Sequence, residues 1–502
     1  MLFNSYAFLL GFLPAALLVF HALRRLGLER VALAALVLVS LAFYAWWNPV
    51  YLLLLVPLTL ATFVVARAIA HCRVARPRIA RALMIAGVVG NLLVLGWFKY
   101  ANFLVDNAAA LVGAEWTLAK IVLPLGISFF VFQKIAFLVD AERGKVDRFD
   151  LLEFALFVSF FPQLIAGPIV HHGEVLPQLR APRRDGEPLA ALGLTIFAIG
   201  LAKKVLLADS AAAVATPAFD AAAAGAPLDA VGAWLGALAY TAQLYFDFSG
   251  YSDMAIGAAL LFGIRLPVNF ASPYRAKDIA EFWHRWHITL SRFLRDYLYI
   301  PLGGNRHGAA RRTVNLLVTM LLGGLWHGAA WTFVAWGALH GAYLVVHRGW
   351  QRVRARVSAT PAGPVEVFAG AALTLVAVVV GWVLFRAADL PTAWAILRAM
   401  AGAGTAVLAS DGVASPTHDA WAVAIVAALL AIALLAPNTQ QITGYRGPSE
   451  APVHAGPPSA ATAAATAWRW RPTPGWAGAS AVVAAIAMTN LSRVSEFLYF
   501  QF

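Results

Sequence analysis

The sequence predicts an all-α polytopic membrane protein, and three observations predict it. Of 502 residues, 61% are hydrophobic and only 13% charged, far from the balance of a soluble globular chain. The hydrophobic residues gather in runs of about 20, the length that crosses the hydrocarbon of a bilayer. The charged residues gather in the short segments between those runs. In a soluble protein the net charge of +13 would point to nucleic acid. Here the basic residues set orientation and meet anionic lipid, so no nucleic-acid partner is expected. The single cysteine, Cys72, excludes an intramolecular disulfide and a cysteine-rich metal site.

Taken in order, the apolar runs lie at about 5–23, 31–47, 50–70, 81–98, 119–139, 150–168, 189–208, 230–263, 313–326, 329–347, 365–386, 420–436 and 476–491. They predict about 11–13 transmembrane or re-entrant helices in one integral-membrane domain, 1–502. The first run has no Lys or Arg ahead of it and no small-residue cleavage site, so it reads as a span rather than a removable signal. Basic segments at 24–30, 71–81 and 141–149, against a neutral 47–50, put the N-terminus outside and those loops in the cytoplasm. Run 150–168 breaks this alternation, because Arg180, Arg183 and Arg184 follow it. Its end, FFPQLIAGPI, carries Pro162, Gly167 and Pro168, and predicts a re-entrant element. Lys203 and Lys204, near the far end of 189–208, either snorkel outward or face a cavity.

Arg265 to Arg312 is the most basic region, and Arg348 to Arg356 marks the same side again. Residues 313–347 therefore enter and return as a hairpin, with His327 near its tip, deep in the membrane or toward the outer face. Residues 437–474, rich in Pro, Ala, Ser and Thr, predict a flexible loop with no packed core. The terminal SEFLYFQF is too short to span.

Chemistry is sought where titratable groups sit in apolar runs. His327 lies inside LLGGLWHGAAWTFVAWGALHGA, Leu321 to Ala342, where an imidazole is costly unless paired or working. A core histidine bonded to a neighbouring helix and a site histidine both fit. The segment Ile279 to Ile300 reads as one amphipathic interfacial helix, with His284 and His287 at i and i+3. His287 shares its face with Trp283, Leu290 and Leu294 and is the better site candidate. No third and fourth ligand is spaced with the pair, so no metal is expected. Asp247 and Asp253, in YFDFSGYSDMAIG, are six apart and on different faces of a regular helix. They read as polar caps of a kink at Ser249 and Gly250, with a functional role as the alternative. Gln133, Lys134 and Asp140 fit cavity lining and helix pairing equally. No Walker loop, dinucleotide fingerprint, GxSxG elbow or HExxH occurs.

The runs ASPYRAKDIAEFWHRWHITLSRFLRDYLYIPLGGNR (271–306) and GGLWHGAAWTFVAWGALHG (323–341) resemble the membrane-bound O-acyltransferase (MBOAT) family. They are closest to its bacterial branch that acetylates exported polysaccharides. PLGISFFVFQKIAFLVD, FFPQLIAGPIVHHGEV, YFDFSGYSDMAIG, GWVLFRAADLPTAWAILRAM and FLYFQF extend the resemblance over nearly the whole chain. The resemblance implies a helical bundle with a central tunnel. It matches His327 to the family's catalytic histidine and His287 to an upstream polar position. Trp283, Trp286, Arg285 and Trp326 become candidate tunnel or donor contacts. It also implies acetyl-CoA as donor, periplasmic acetyltransferase partner proteins, an exported alginate-like polysaccharide as final acceptor, and a bacterial inner-membrane location. D-alanyl, peptidoglycan or cellulose acyl transfer are rivals within the family. A secondary transporter or flippase using Asp247, Asp253 and the histidines as a proton relay is the rival from another class, although no two related halves are found.

Overall fold

Apolar helices must bury their polar backbone internally and can leave apolar side chains facing lipid, and the fold follows from that rule. In the computed structural model, residues 1–146, 148–180, 189–357, 360–404, 420–448, 469–491 and 498 are described. Among them there is helix but no strand. The long apolar helices are α1 (Ala7–Arg25), α3 (Pro49–Cys72), α4 (Pro77–Val112) and α16 (Pro364–Arg386), and α9 (Leu189–Ala202) runs on through a π-turn into α10 (Asp209–Ala223). α2 (Glu29–Ala45) packs between α1 and α6 (Leu151–Ser159). Outward side chains such as Leu53, Leu93, Phe368 and Leu373 are exposed and apolar, as a lipid-facing surface requires. The protein is a multi-pass membrane protein.

The centre is α11 (Ala230–Leu261), nearly every residue of which is buried. It crosses α9 through two glycine pairs. A Cβ on Gly257 would lie 2.6 Å from the Gly193 carbonyl oxygen, and one on Gly200 2.6 Å from that of Gly250. Only glycine lets the backbones approach this closely. α11 is unbroken at Ser249 and Gly250, so the expected kink does not form. Asp247 and Asp253 instead meet the two lysines that could have snorkelled: Lys204 lies 2.7 Å from Asp247 and Lys203 2.6 Å from Asp253. The π-turn Lys203–Ala208 widens the helix, which lets consecutive lysines both reach α11.

Two other expectations change, and one is met. The run at 119–139 is helical only from Ile127, as α5 (Ile127–Glu142), because Pro124 and the left-handed Gly126 delay the start. Run 150–168 meets its expectation: it is α6, a break at Phe160, and α7 (Phe161–Leu164), too short to cross. The segment 279–300 is not one helix. α12 (Ile279–Arg285) and α13 (Ile288–Leu294) are separated by Trp286 and a left-handed His287, φ 43° and ψ 53°. His284 and His287 are therefore not neighbours on one helix.

α14 (Gly308–His327) and α15 (Trp331–Val357) form the expected hairpin, turning through the extended Gly328. Toward the end, α17 (Leu390–Arg398), α18 (Ala420–Leu435), α19 (Thr439–Thr443) and α20 (Pro474–Thr489) follow. α19 lies inside the segment expected to be a flexible loop, yet its capping box and the Thr439 hydroxyl, 2.6 Å from Asp253, hold it against the bundle. Residues 449–468 of that segment lie outside the described residues. Of the terminal tail only Leu498 is described; it is buried, and its N–H donates to Asp247 at 3.2 Å.

Candidate active site

His327 closes α14, and the chain must turn immediately after it. Its buried ring is enclosed by Trp326 at 4.9 Å, Trp336 at 5.1 Å, Phe385 at 5.1 Å and His287 at 6.4 Å between ring centroids. Two residues 40 apart in sequence thus present imidazoles to one aromatic enclosure. Such an enclosure excludes water and strengthens any polar interaction made inside it.

His287 is held in an unusual backbone state. A left-handed conformation costs a side-chain-bearing residue about 1–3 kcal/mol and persists only where its surroundings enforce it. Asn269, in the loop after α11, supplies that enforcement. Its side-chain oxygen accepts from His287 Nδ1 at 3.1 Å, from the Thr289 N–H at 3.2 Å and from the Thr289 hydroxyl at 2.9 Å. The Ile288 N–H donates to the Asn269 carbonyl at 3.0 Å. Because the amide oxygen is the acceptor in all three side-chain bonds, Nδ1 carries the His287 proton and Nε2 carries the lone pair.

The other sequence candidates divide. Trp326 walls the site together with Trp336, which was not among them, and Trp283 packs edge-on against Trp336 at 5.7 Å. Trp286 packs on Phe270 at 5.0 Å and Trp382 at 4.9 Å, and Trp382 in turn packs on Phe385, which touches His327. Arg285 is held by Glu281 at 2.6 Å and the Ala271 carbonyl at 3.2 Å, which leaves its guanidinium committed to the α12 surface.

Three features escaped the sequence reading. Asn269 sits in an extended loop where no periodicity singles it out. His340, one helical turn beyond Trp336, is fully buried against Trp336 at 4.8 Å and Trp283 at 5.3 Å, and neither ring nitrogen has a hydrogen-bond partner among the described residues. The indole N–H groups of Trp283 and Trp336 are likewise unpartnered there. A histidine spaced at helical intervals from the tryptophans was the available signal.

The third is a cluster between the end of α5 and the start of α8 (His172–Arg180). Asp140 Oδ2 receives His171 Nε2 at 2.5 Å, the Tyr297 hydroxyl at 2.5 Å and His172 Nε2 at 3.3 Å. By donor type these groups could hold a metal ion. The Gly173 N–H, however, donates to His171 Nδ1 at 3.2 Å, so Nε2 carries the proton and points it at Asp140. The set fits a hydrogen-bonded carboxylate better than a metal centre. Burial, the largest influence, holds the His172 imidazole below its ordinary value, although its bond to Asp140 acts the other way.

Comparison with known proteins bears on this geometry. Residues 85–387 match the family described as MBOAT, membrane-bound O-acyltransferase family. The protein named "Probable alginate O-acetylase AlgI" of Pseudomonas aeruginosa is 44% identical over 412 residues, covering 81% of this chain and 76% of that protein. The "Peptidoglycan O-acetyltransferase" of Helicobacter pylori is 42% identical over 431 residues, covering 80% of each. A "Teichoic acid D-alanyltransferase" of Streptococcus thermophilus is 32% identical over 249 residues, covering 47% of this chain and 59% of that protein.

Proposed function

The chain belongs to the membrane-bound O-acyltransferase family and is an O-acyltransferase, and from that premise we propose that it takes an acetyl group from a cytoplasmic donor, acetyl-CoA, and passes it across the bacterial inner membrane for O-acetylation of an exported, alginate-like polysaccharide. The observation that carries the reading is the His327–His287 pair, 6.4 Å apart between ring centroids inside a wall of tryptophans. Loop charge supports this direction: the basic segments 265–312 and 348–356 suit an anionic donor on the cytoplasmic side, and the hairpin carries His327 away from them.

Acyl transfer from a thioester requires an oxygen nucleophile to lose a proton as it attacks the carbonyl carbon. The tetrahedral intermediate then collapses, the carbon–sulfur bond breaks and the thiolate takes up the proton. His327, a neutral imidazole in a dry site, is the general base in this reading, a role typically worth about a hundredfold to ten-thousandfold. With Nδ1–H given to Asn269, His287 offers a lone pair at Nε2. That suits orienting the acceptor hydroxyl better than donating to an oxyanion, which the neutral ring would need a second proton to do. The Trp336 N–H, without a hydrogen-bond partner among the described residues and on the ring that touches His327, is a more suitable donor to the thioester oxygen.

Periplasmic acetyltransferase proteins are the expected partners for delivery to the polymer. Peptidoglycan is the second reading for the acceptor, because the Helicobacter relative is nearly as similar as the Pseudomonas one. The test is the His327→Ala variant in a cell that makes the polymer. Polymer-bound acetate should fall to background while the variant remains membrane-inserted at normal abundance, and unchanged acetate at normal abundance would overturn the assignment.

A further inference from the structure

A helix that ends at its working residue has a problem to solve. The last carbonyls of any α-helix lack intrahelical partners. The usual remedy, a left-handed glycine that folds the chain back, does not operate at the end of α14, because Gly328 is extended, φ −163°.

The partners come from α4. The Lys99 ammonium donates to the carbonyl oxygens of Trp326 at 2.5 Å and His327 at 3.0 Å, and the Tyr100 hydroxyl donates to the Leu325 carbonyl at 2.8 Å. Three consecutive terminal carbonyls are thus taken by two adjacent residues of another helix. Farther along α4, Phe103 packs its ring 5.7 Å from that of Trp331, and the Asn107 side-chain oxygen accepts from the Trp331 indole at 2.7 Å. Lys99, Phe103 and Asn107 follow one another at intervals of four, so they share one face of α4. That face spans the turn from the end of α14 to the start of α15. Among the described residues Lys99 has no carboxylate partner; its charge faces the negative end of the α14 dipole.

We propose that Lys99 is a positioning residue for the acyl transfer, acting through the backbone of His327, and that α4 is the splint that fixes the hairpin tip. The inference rests on the reading of His327 as the reacting imidazole. A site must be held to a fraction of an ångström for general-base catalysis, and α4 supplies that hold from outside the hairpin. Single-residue anchoring by a long side chain would ordinarily be loose. Here the ammonium is fixed by two carbonyls at once, and Tyr100 removes the freedom of the turn beneath it.

The experiment is steady-state acetyl transfer from acetyl-CoA by purified protein, comparing Lys99→Met, Lys99→Arg and Asn107→Ala with the unaltered chain. Lys99→Met should lower kcat about a hundredfold, the loss expected of a misplacement near 1 Å. Its KM for acetyl-CoA should stay within about twofold, since no binding contact is removed. Lys99→Arg, which can still donate to two carbonyls, should recover about a tenfold part of that loss. Asn107→Ala, on the far side of the turn, should lower kcat about fivefold, again without moving KM. If Lys99→Met does not fold, the Asn107→Ala result decides alone. A kcat within threefold of the unaltered chain in Lys99→Met, a rise in KM in place of the fall in kcat, or no recovery with arginine would overturn the proposal. Absence of any acetyl-CoA turnover by the unaltered chain would instead overturn the functional reading beneath it.

Discussion

The hairpin depends on two glycines that let α14 and α15 touch backbone to backbone, and Gly337→Ala probes that contact. A Cβ at Gly337 would lie 3.2 Å from Leu321 Cα and closer still to the Met320 carbonyl oxygen, where ordinary contacts begin at 3.4 Å. Gly324 makes the reciprocal approach, since a Cβ there would lie 3.1 Å from Gly337 Cα and meet the Phe333 carbonyl oxygen. Backbone atoms cannot turn aside as a side chain can, so the two helices must separate by roughly 0.5–1 Å, at an overpacking cost of about 1–3 kcal/mol. The separation opens at the end that holds His327 on α14 and Trp336 on α15, whose rings are 5.1 Å apart. A shift of that size at a reacting group costs up to about a hundredfold in rate. The assay is acetyl transfer per folded molecule, with thermal unfolding in detergent measured alongside. The expected result is a fall in kcat of about ten- to a hundredfold with a modest loss of stability. Full activity with unchanged stability would refute the claim that this crossing sets the site.

Two further outcomes are expected. Asp253→Asn or Lys203→Met leaves one buried partner uncompensated and should cost about 3–5 kcal/mol of stability, while replacing both together should recover much of it; the fraction that folds should still transfer acetyl groups, whereas a proton-relay transporter would lose its activity outright. Asn269→Ala removes the acceptor shared by His287 and Thr289 and should cost about 1–3 kcal/mol. Activity per folded molecule should fall about ten- to a hundredfold as His287 leaves its left-handed conformation, and unchanged activity would show that this conformation is incidental.

Much of the fold was legible because periodicity and loop charge carry it. The hairpin at 313–347 followed from two basic segments on either side of an apolar stretch, and the broken element at 150–168 from its prolines. What periodicity could not show was how helices end and what meets what across the bundle. Ile279 to Ile300 has an apolar stripe throughout, yet it breaks at His287, where Asn269, from another segment, bonds the His287 ring and the N–H groups of Ile288 and Thr289. Asp247 and Asp253, on different faces, read as polar caps of a kink, and it is across the π-turn in the α9–α10 helix that Lys203 and Lys204 reach them. Of the site, His327 and His287 were visible as titratable groups in apolar surroundings. Lys99, Asn269 and His340 were not, since the first two depend on partners 18 to 228 residues away and the third on a burial that a single segment does not reveal.

The central claim is that His327 is the point of acyl transfer between the two faces of the membrane. The most direct measurement uses purified protein in sealed vesicles of one orientation, with labelled acetyl-CoA confined to the cytoplasmic side and a polysaccharide acceptor with its periplasmic partner on the other. The unaltered chain should release CoA on the donor side and place label on the acceptor across the membrane, and His327→Ala should do neither above background. Equal transfer by His327→Ala, or label crossing the membrane with CoA still attached, would contradict the account.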